Sequence, residues 1–201
     1  MAHPTRRRFL AGWLTAPAWL MASRAYGAMT PQGLDQFATG PAPCTPDAKA
    51  TPAAPEGPDF KPNSPERASL RAPGMGGVPL VVTGTVSGLT CGPIKRALLD
   101  FWQADAHGAY DKAGFQLRGH QFSDASGNYR LETIVPGADG TRAPNLHVRV
   151  VPPGKSALTT QLFFPDDPKN RTDPQFKSDL VMKITGGPAG KSAVFNIVLD
   201  I

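Results

Sequence analysis

Asn128-Tyr-Arg-Leu-Glu-Thr-Ile-Val135 alternates along its length, placing Tyr129, Leu131 and Thr133 on one face of an extended chain. A period of two is what a strand with one buried face requires. Before it lie two further runs, Pro79-Leu-Val-Val-Thr-Gly-Thr-Val86 and Ala97-Leu-Leu-Asp-Phe-Trp102. After it come Leu146-His-Val-Arg-Val-Val151, Leu158-Thr-Thr-Gln-Leu-Phe-Phe164, Leu180-Val-Met-Lys-Ile184 and Ala193-Val-Phe-Asn-Ile-Val-Leu199. Short strands separated by Gly, Pro and Asp turns predict an all-β fold, an antiparallel β-sandwich over 78–201. No segment sustains a helical period, although Asp173 to Asp179 is expected to form one short helix. Asp124-Ala-Ser-Gly-Asn128 lacks the later Glu of a calcium loop and reads as a hairpin turn. Gly186-Gly-Pro-Ala-Gly-Lys191 falls one residue short of a phosphate loop and reads as a connection between strands.

Upstream of the sandwich the composition changes twice. Residues 28–77 hold ten of the 22 prolines and few large apolar side chains. Such a stretch cannot fold alone; it is a linker, or an arm laid against the body from about residue 55 onward. Residues 1–27 carry Arg6, Arg7, Arg8 and Arg24 and no acid. Thr5-Arg-Arg-Arg-Phe9-Leu10 resembles a twin-arginine export signal, and Ala25-Tyr-Gly27 offers small residues for cleavage. The apolar stretch from Phe9 to Ala22 is too short and too broken by Pro17 to span a bilayer, so no integral membrane segment is expected after cleavage. The formal charge of +5 is largely this leader's; without its four arginines the chain stands at +1. With no basic stripe, nucleic acid is not an expected partner. A periplasmic or otherwise exported location is expected, and Cys44 and Cys91, an even pair, would there be bridged more readily than free.

Four phrases concentrate the chemistry: Trp102-Gln-Ala-Asp-Ala-His-Gly-Ala-Tyr110, Thr133-Ile-Val-Pro-Gly137, Arg142-Ala-Pro-Asn145-Leu-His147 and Leu158-Thr-Thr-Gln161-Leu-Phe-Phe-Pro165. In order and spacing they resemble the intradiol ring-cleavage dioxygenases, which open catechols at non-haem Fe(III). The resemblance covers about residues 55–200. It implies an extended N-terminal arm before the sandwich, an aromatic diol as substrate, and a homo-oligomer assembled through that arm.

The resemblance also implies a ligand set of two Tyr and two His, and this sequence supplies half of it. Tyr110 stands at the first tyrosinate position, and His147 at the second histidine of a His-x-His pair on one strand face. Asn145 replaces the first histidine; its amide offers only a neutral carbonyl oxygen. Asp139, in Pro136-Gly-Ala-Asp139, replaces the second tyrosine. On this resemblance Tyr110, Asp139 and His147 would make an O,O,N set, with Asn145 or water filling the remaining gap. Arg142 and Gln161 match residues of the family's catalytic pocket. His107, three residues before Tyr110, is a further candidate ligand, whereas His120 and Tyr129 read as structural. Two functions follow: a ring-cleaving dioxygenase with an altered iron site, or a non-catalytic sandwich that retains a small-molecule or partner-binding pocket.

Overall fold

A computed structural model of the protein describes Thr45 and residues 48–201. The expected signal peptide, the first part of the Pro-rich stretch and Cys44 lie outside the described residues. Cys91 is disulfide-bonded, as the even cysteine count leads one to expect.

Among the described residues nine strands make two sheets: β1 (Pro79–Gly88), β2 (Leu98–Trp102), β3 (Arg118–Phe122), β4 (Asn128–Ile134), β5 (Asn145–Val151), β6 (Leu158–Phe163), β7 (Lys183–Gly187), β8 (Gly190–Val194) and β9 (Ile197–Leu199). One sheet runs β4-β1-β8-β7, with β9 also along β1; the other runs β3-β2-β5-β6. Pairing is antiparallel except where β8 and β9 meet β1. Leu80, Val82, Val86 and Leu131 of the first sheet close on Leu99, Phe101, Leu146, Val148 and Leu162 of the second, all 1% exposed or less. Burying side chains of this size stabilises by about 1.5–3 kcal/mol each. Tyr129 is core, its hydroxyl donating to the Phe195 carbonyl.

The expected elements differ in four places, each for a local reason. Ala193 to Leu199 is two strands, because the Asn196 side chain accepts the Thr85 N–H where a ladder carbonyl would. Leu180 to Ile184 begins as a 3₁₀ turn over Ser178–Leu180, and the strand proper starts at Lys183. The segment from Asp173 to Asp179 is not one helix; the Asp173 carboxylate accepts from the distant Ala143 N–H and from Gln175 N–H. Strand β3 has no apolar alternation because its outward side chains, Arg118 and His120, serve the arm. Both expected connections hold. Asp124 to Asn128 turns β3 into β4, and Gly187 pairs with Gly190 across the β7–β8 turn.

The Pro-rich stretch docks as an arm, from residue 51 rather than 55. Thr51 exchanges two hydrogen bonds with Val198, and Ala54 N–H reaches the Thr159 carbonyl. Proline lacks an N–H but keeps a strong acceptor. Accordingly Pro52, Pro55 and Pro65 accept from Thr160, Gln161 and His120. The arm lies over the outer face of the β3-β2-β5-β6 sheet, and the site lies beneath it.

Candidate active site

Strand alternation builds the site. In β5, Leu146, Val148 and Val150 enter the core, so Asn145, His147 and Arg149 share the outer face. Cross-strand register then lines up Arg118, Trp102, His147 and Gln161 from β3 to β6. Trp102 stacks on the His147 ring at 4.9 Å between centroids and an interplanar angle of 16°. Phe60 of the arm meets the same indole edge-on at 5.0 Å. His147 is thereby 4% exposed.

Tyr110 reaches this row from a loop whose geometry the Trp-Gln-Ala-Asp-x-x-Gly phrase dictates. Gln103 bonds the Ile134 carbonyl and accepts from the Thr133 hydroxyl, fixing the loop to β4. Asp105 receives the N–H groups of His107 and Ala109, and these bonds, Ala109's first, hold its carboxyl below the usual range. Gly108 has φ +88°, and a Cβ there would stand 2.1 Å from the Ala138 carbonyl oxygen. Gly137 N–H donates to the Asp105 carbonyl, so the two loops join backbone to backbone. The result puts Tyr110 Oη 3.1 Å from His147 Nε2. The two retained family positions therefore converge.

The electrostatics keep this pair neutral. Burial, then the negative charges of Asp59 and Asp139, push the Tyr110 phenol up to about 12. Burial, then the cations Arg142 and Arg118, push the His147 imidazole down to about 3. Arg142 donates from Nε to both carboxylate oxygens of buried Asp173 and from its terminal nitrogen to Gln161. Gln161 also donates to Gln175 and to the Pro55 carbonyl, linking pocket and arm. Arg142 and Gln161 thus act as one fixed unit.

The substituted positions behave differently from each other. Asn145 is buried; its Nδ2 donates to the Ala143 carbonyl and its Oδ1 has no partner. Asp139 is exposed on its turn. His107 is exposed, and its backbone N–H donates to the Asp105 carboxylate. His120 is structural, with Nδ1 3.1 Å from the Ser64 hydroxyl. Arg118, Asp173 and the arm residues Pro55 and Phe60 line the candidate site but were not singled out for it in the sequence, and Trp102 was marked only as the head of the Tyr110 phrase. The one available signal was that Arg118 is a basic residue in a strand with no apolar alternation.

Among the described residues no three His, Cys, Asp or Glu side chains converge. A metal would instead rest on Tyr110 and His147. The donor chemistry fits: a phenolate oxygen and an imidazole nitrogen suit iron. The buried Asn145 Oδ1 is a further oxygen, and leaving such an acceptor unpaired costs about 1–3 kcal/mol. A cavity of about 230 Å³ opens beside Tyr110, lined also by Asp105, Ala109, Asp111, Gln116 and Leu117.

Comparison with known proteins defines the class to which this sandwich, with its phenol and imidazole converging under an N-terminal arm, belongs. The profile of the family described as Dioxygenase matches residues 55–200. The chain belongs to the intradiol ring-cleavage dioxygenase family. It is 48% identical to the dioxygenase domain of a dioxygenase–carbohydrate-binding protein fusion from Streptomyces sp. SirexAA-E, with a TM-score of 0.74, covering 76% of this chain and 99% of that one. It is 31% identical to hydroxyquinol 1,2-dioxygenase of Nocardioides simplex over 70% of this chain and 57% of that protein. It is 33% identical to the protocatechuate 3,4-dioxygenase beta chain of Burkholderia cepacia over 49% of each. The chain spans about half the length of the curated relatives it matches.

Proposed function

We propose that the protein is an oxygen-dependent enzyme that opens a catechol-type aromatic diol, with non-haem iron held by Tyr110 and His147. The observation that carries this is the 3.1 Å approach of Tyr110 Oη to His147 Nε2 beside the fixed Arg142–Gln161 pair. Bound iron would supply Lewis acidity toward the diol oxygens and electron exchange with dioxygen.

The chain's own residues do the rest. A diol must shed protons to bind as an anion, and the Asp139 carboxylate, near enough to oppose negative charge on Tyr110, is the base at hand. The Arg142 guanidinium, oriented by Asp173, offers a fixed cation to negative charge arising on the substrate. Trp102 and Phe60 wall the imidazole and limit water at His147. Among the described residues no helix is long and apolar enough to cross a membrane. The twin-arginine-like leader supports export of the folded protein, the Cys91 disulfide supports an oxidising compartment, and the arm is the surface through which copies would assemble.

The test is oxygen uptake by iron-loaded protein offered catechol, hydroxyquinol and protocatechuate, with the products identified. Ring-opened dicarboxylates formed with one O₂ consumed, and lost in Tyr110→Phe, are the expected result. Diol binding without oxygen uptake would overturn the catalytic reading and leave a binding protein.

A further inference from the structure

The outer face of the β3-β2-β5-β6 sheet carries a second polar row. Two residues along each strand from the row that holds Trp102 and His147, about 7 Å away, His120, Asp100, Arg149 and Thr159 stand in register. The arm passes over them, and between its residues Glu56, Phe60 and Ser64 and the strands lies a cavity of about 450 Å³. Small-molecule sites begin at about 300 Å³. Pro62 and Asn63, both exposed, border the cavity and open it to solvent.

The charges that line this cavity do not balance. Arg149 Nε pairs with Glu56 Oε1 at 3.2 Å, which leaves the carboxylate of Asp100. Asp100 is 8% exposed, and among the described residues it forms no ion pair. Its Oδ1 accepts the Ser64 hydroxyl at 2.7 Å, and among the described residues no hydrogen bond reaches Oδ2. Burial pushes the carboxyl above its usual range, and Ser64 with the more distant His120, Arg149 and Arg118 offsets only part of this. Ser64 has a single hydroxyl proton, already given to Asp100. His120 Nδ1, 3.1 Å from Ser64 Oγ, therefore meets it as an N–H, and in the neutral ring Nε2 is the acceptor. A carboxylate this buried is ordinarily paired with a cation. Asp100 lines the cavity instead, beside the Phe60 ring and the Leu98 side chain. A carboxylate and an imidazole acceptor next to an aromatic and an aliphatic wall match an ammonium group on an apolar body.

We propose that the cavity between the arm and the second row is a binding site for a small organic ammonium ion, whose N–H groups donate to Asp100 Oδ2 and His120 Nε2 while its apolar body rests on Phe60 and Leu98. The site is separate from the Tyr110–His147 pair and requires no metal. Isothermal titration of the purified full chain with benzylamine, benzyl alcohol and benzoate compares a cation, a neutral donor and an anion on one apolar body. Benzylamine is expected to bind with a Kd of about 1 mM or tighter, and the alcohol and the anion at least about tenfold more weakly. Asp100→Asn keeps the shape and the acceptor for Ser64 but removes the charge, and should weaken benzylamine binding at least about tenfold. Near-ultraviolet circular dichroism reports the fold of the variant, and the imidazole NMR resonances of His120 should shift as benzylamine is added to the wild type. The comparison of the three ligands uses the wild type alone, so it decides the question even where Asp100→Asn fails to fold. Equal affinity for benzylamine and benzyl alcohol would overturn the cationic ligand class. The site itself would be overturned by the lack of saturable benzylamine binding, by His120 resonances that do not move, or by unchanged affinity in folded Asp100→Asn.

Discussion

Tyr110 and His147 share one hydrogen bond, and each is held in the neutral form that allows it. Unfolded, the imidazole binds a proton near pH 6.5. Folded, it does so only near pH 3, because burial and the two arginines oppose the charge. The folded state therefore holds fewer protons between these values, so His147 adds no instability above pH 6.5 and costs increasing stability as pH falls below it. Each pH unit in this window is worth up to about 1.4 kcal/mol. For metal-free protein, the stability of the wild type minus that of His147→Phe should fall by up to about 3 kcal/mol between pH 7 and pH 4. Urea melts of both proteins at the two pH values check this. A difference that does not change with pH would mean the imidazole is solvated rather than buried.

Among the elements, the loop that presents Tyr110 is the most constrained. Gly108 has φ +88°, and its missing Cβ makes room for the Ala138 carbonyl. Alanine there adds left-handed strain to a backbone collision, together worth about 1–3 kcal/mol or more. Gly108→Ala should lower the Tm and detach Tyr110 from His147, whereas Gly154→Ala, in open space at φ +67°, should show the strain alone. Thermal melts of the two variants give the comparison; equal losses would deny the loop contact. Most of these elements were legible because strands with one buried face alternate, as Asn128 to Val135 does. Strand β3 was not, since Arg118 and His120 answer to arm residues 59 and 56 positions away, and no local pattern records that. The break between β8 and β9 depends on one Asn196 side chain in the same way.

At the largest scale the described residues form a two-sheet sandwich, with the candidate site on the outer face of one sheet, roofed by the Pro-rich segment from Thr51 onward. Phrase and spacing singled out Tyr110, Asn145, His147, Arg142 and Gln161, and the fold brings Tyr110 to His147 and Arg142 to Gln161, with Asn145 on the same strand face as His147. It could not show that Asp173 fixes Arg142, that Trp102 stacks on His147, or that Asn145 keeps an unpaired oxygen. Those facts come from segments far apart in the chain and exist only once it is folded. The account turns on one point in space between Tyr110 Oη and His147 Nε2. Crystals grown with iron, measured on either side of the iron absorption edge, test it most directly. The account predicts a single anomalous peak at bonding distance, about 2 Å, from both atoms. Iron bound elsewhere, or no peak in a crystal whose Tyr110 and His147 stay in contact, would contradict it.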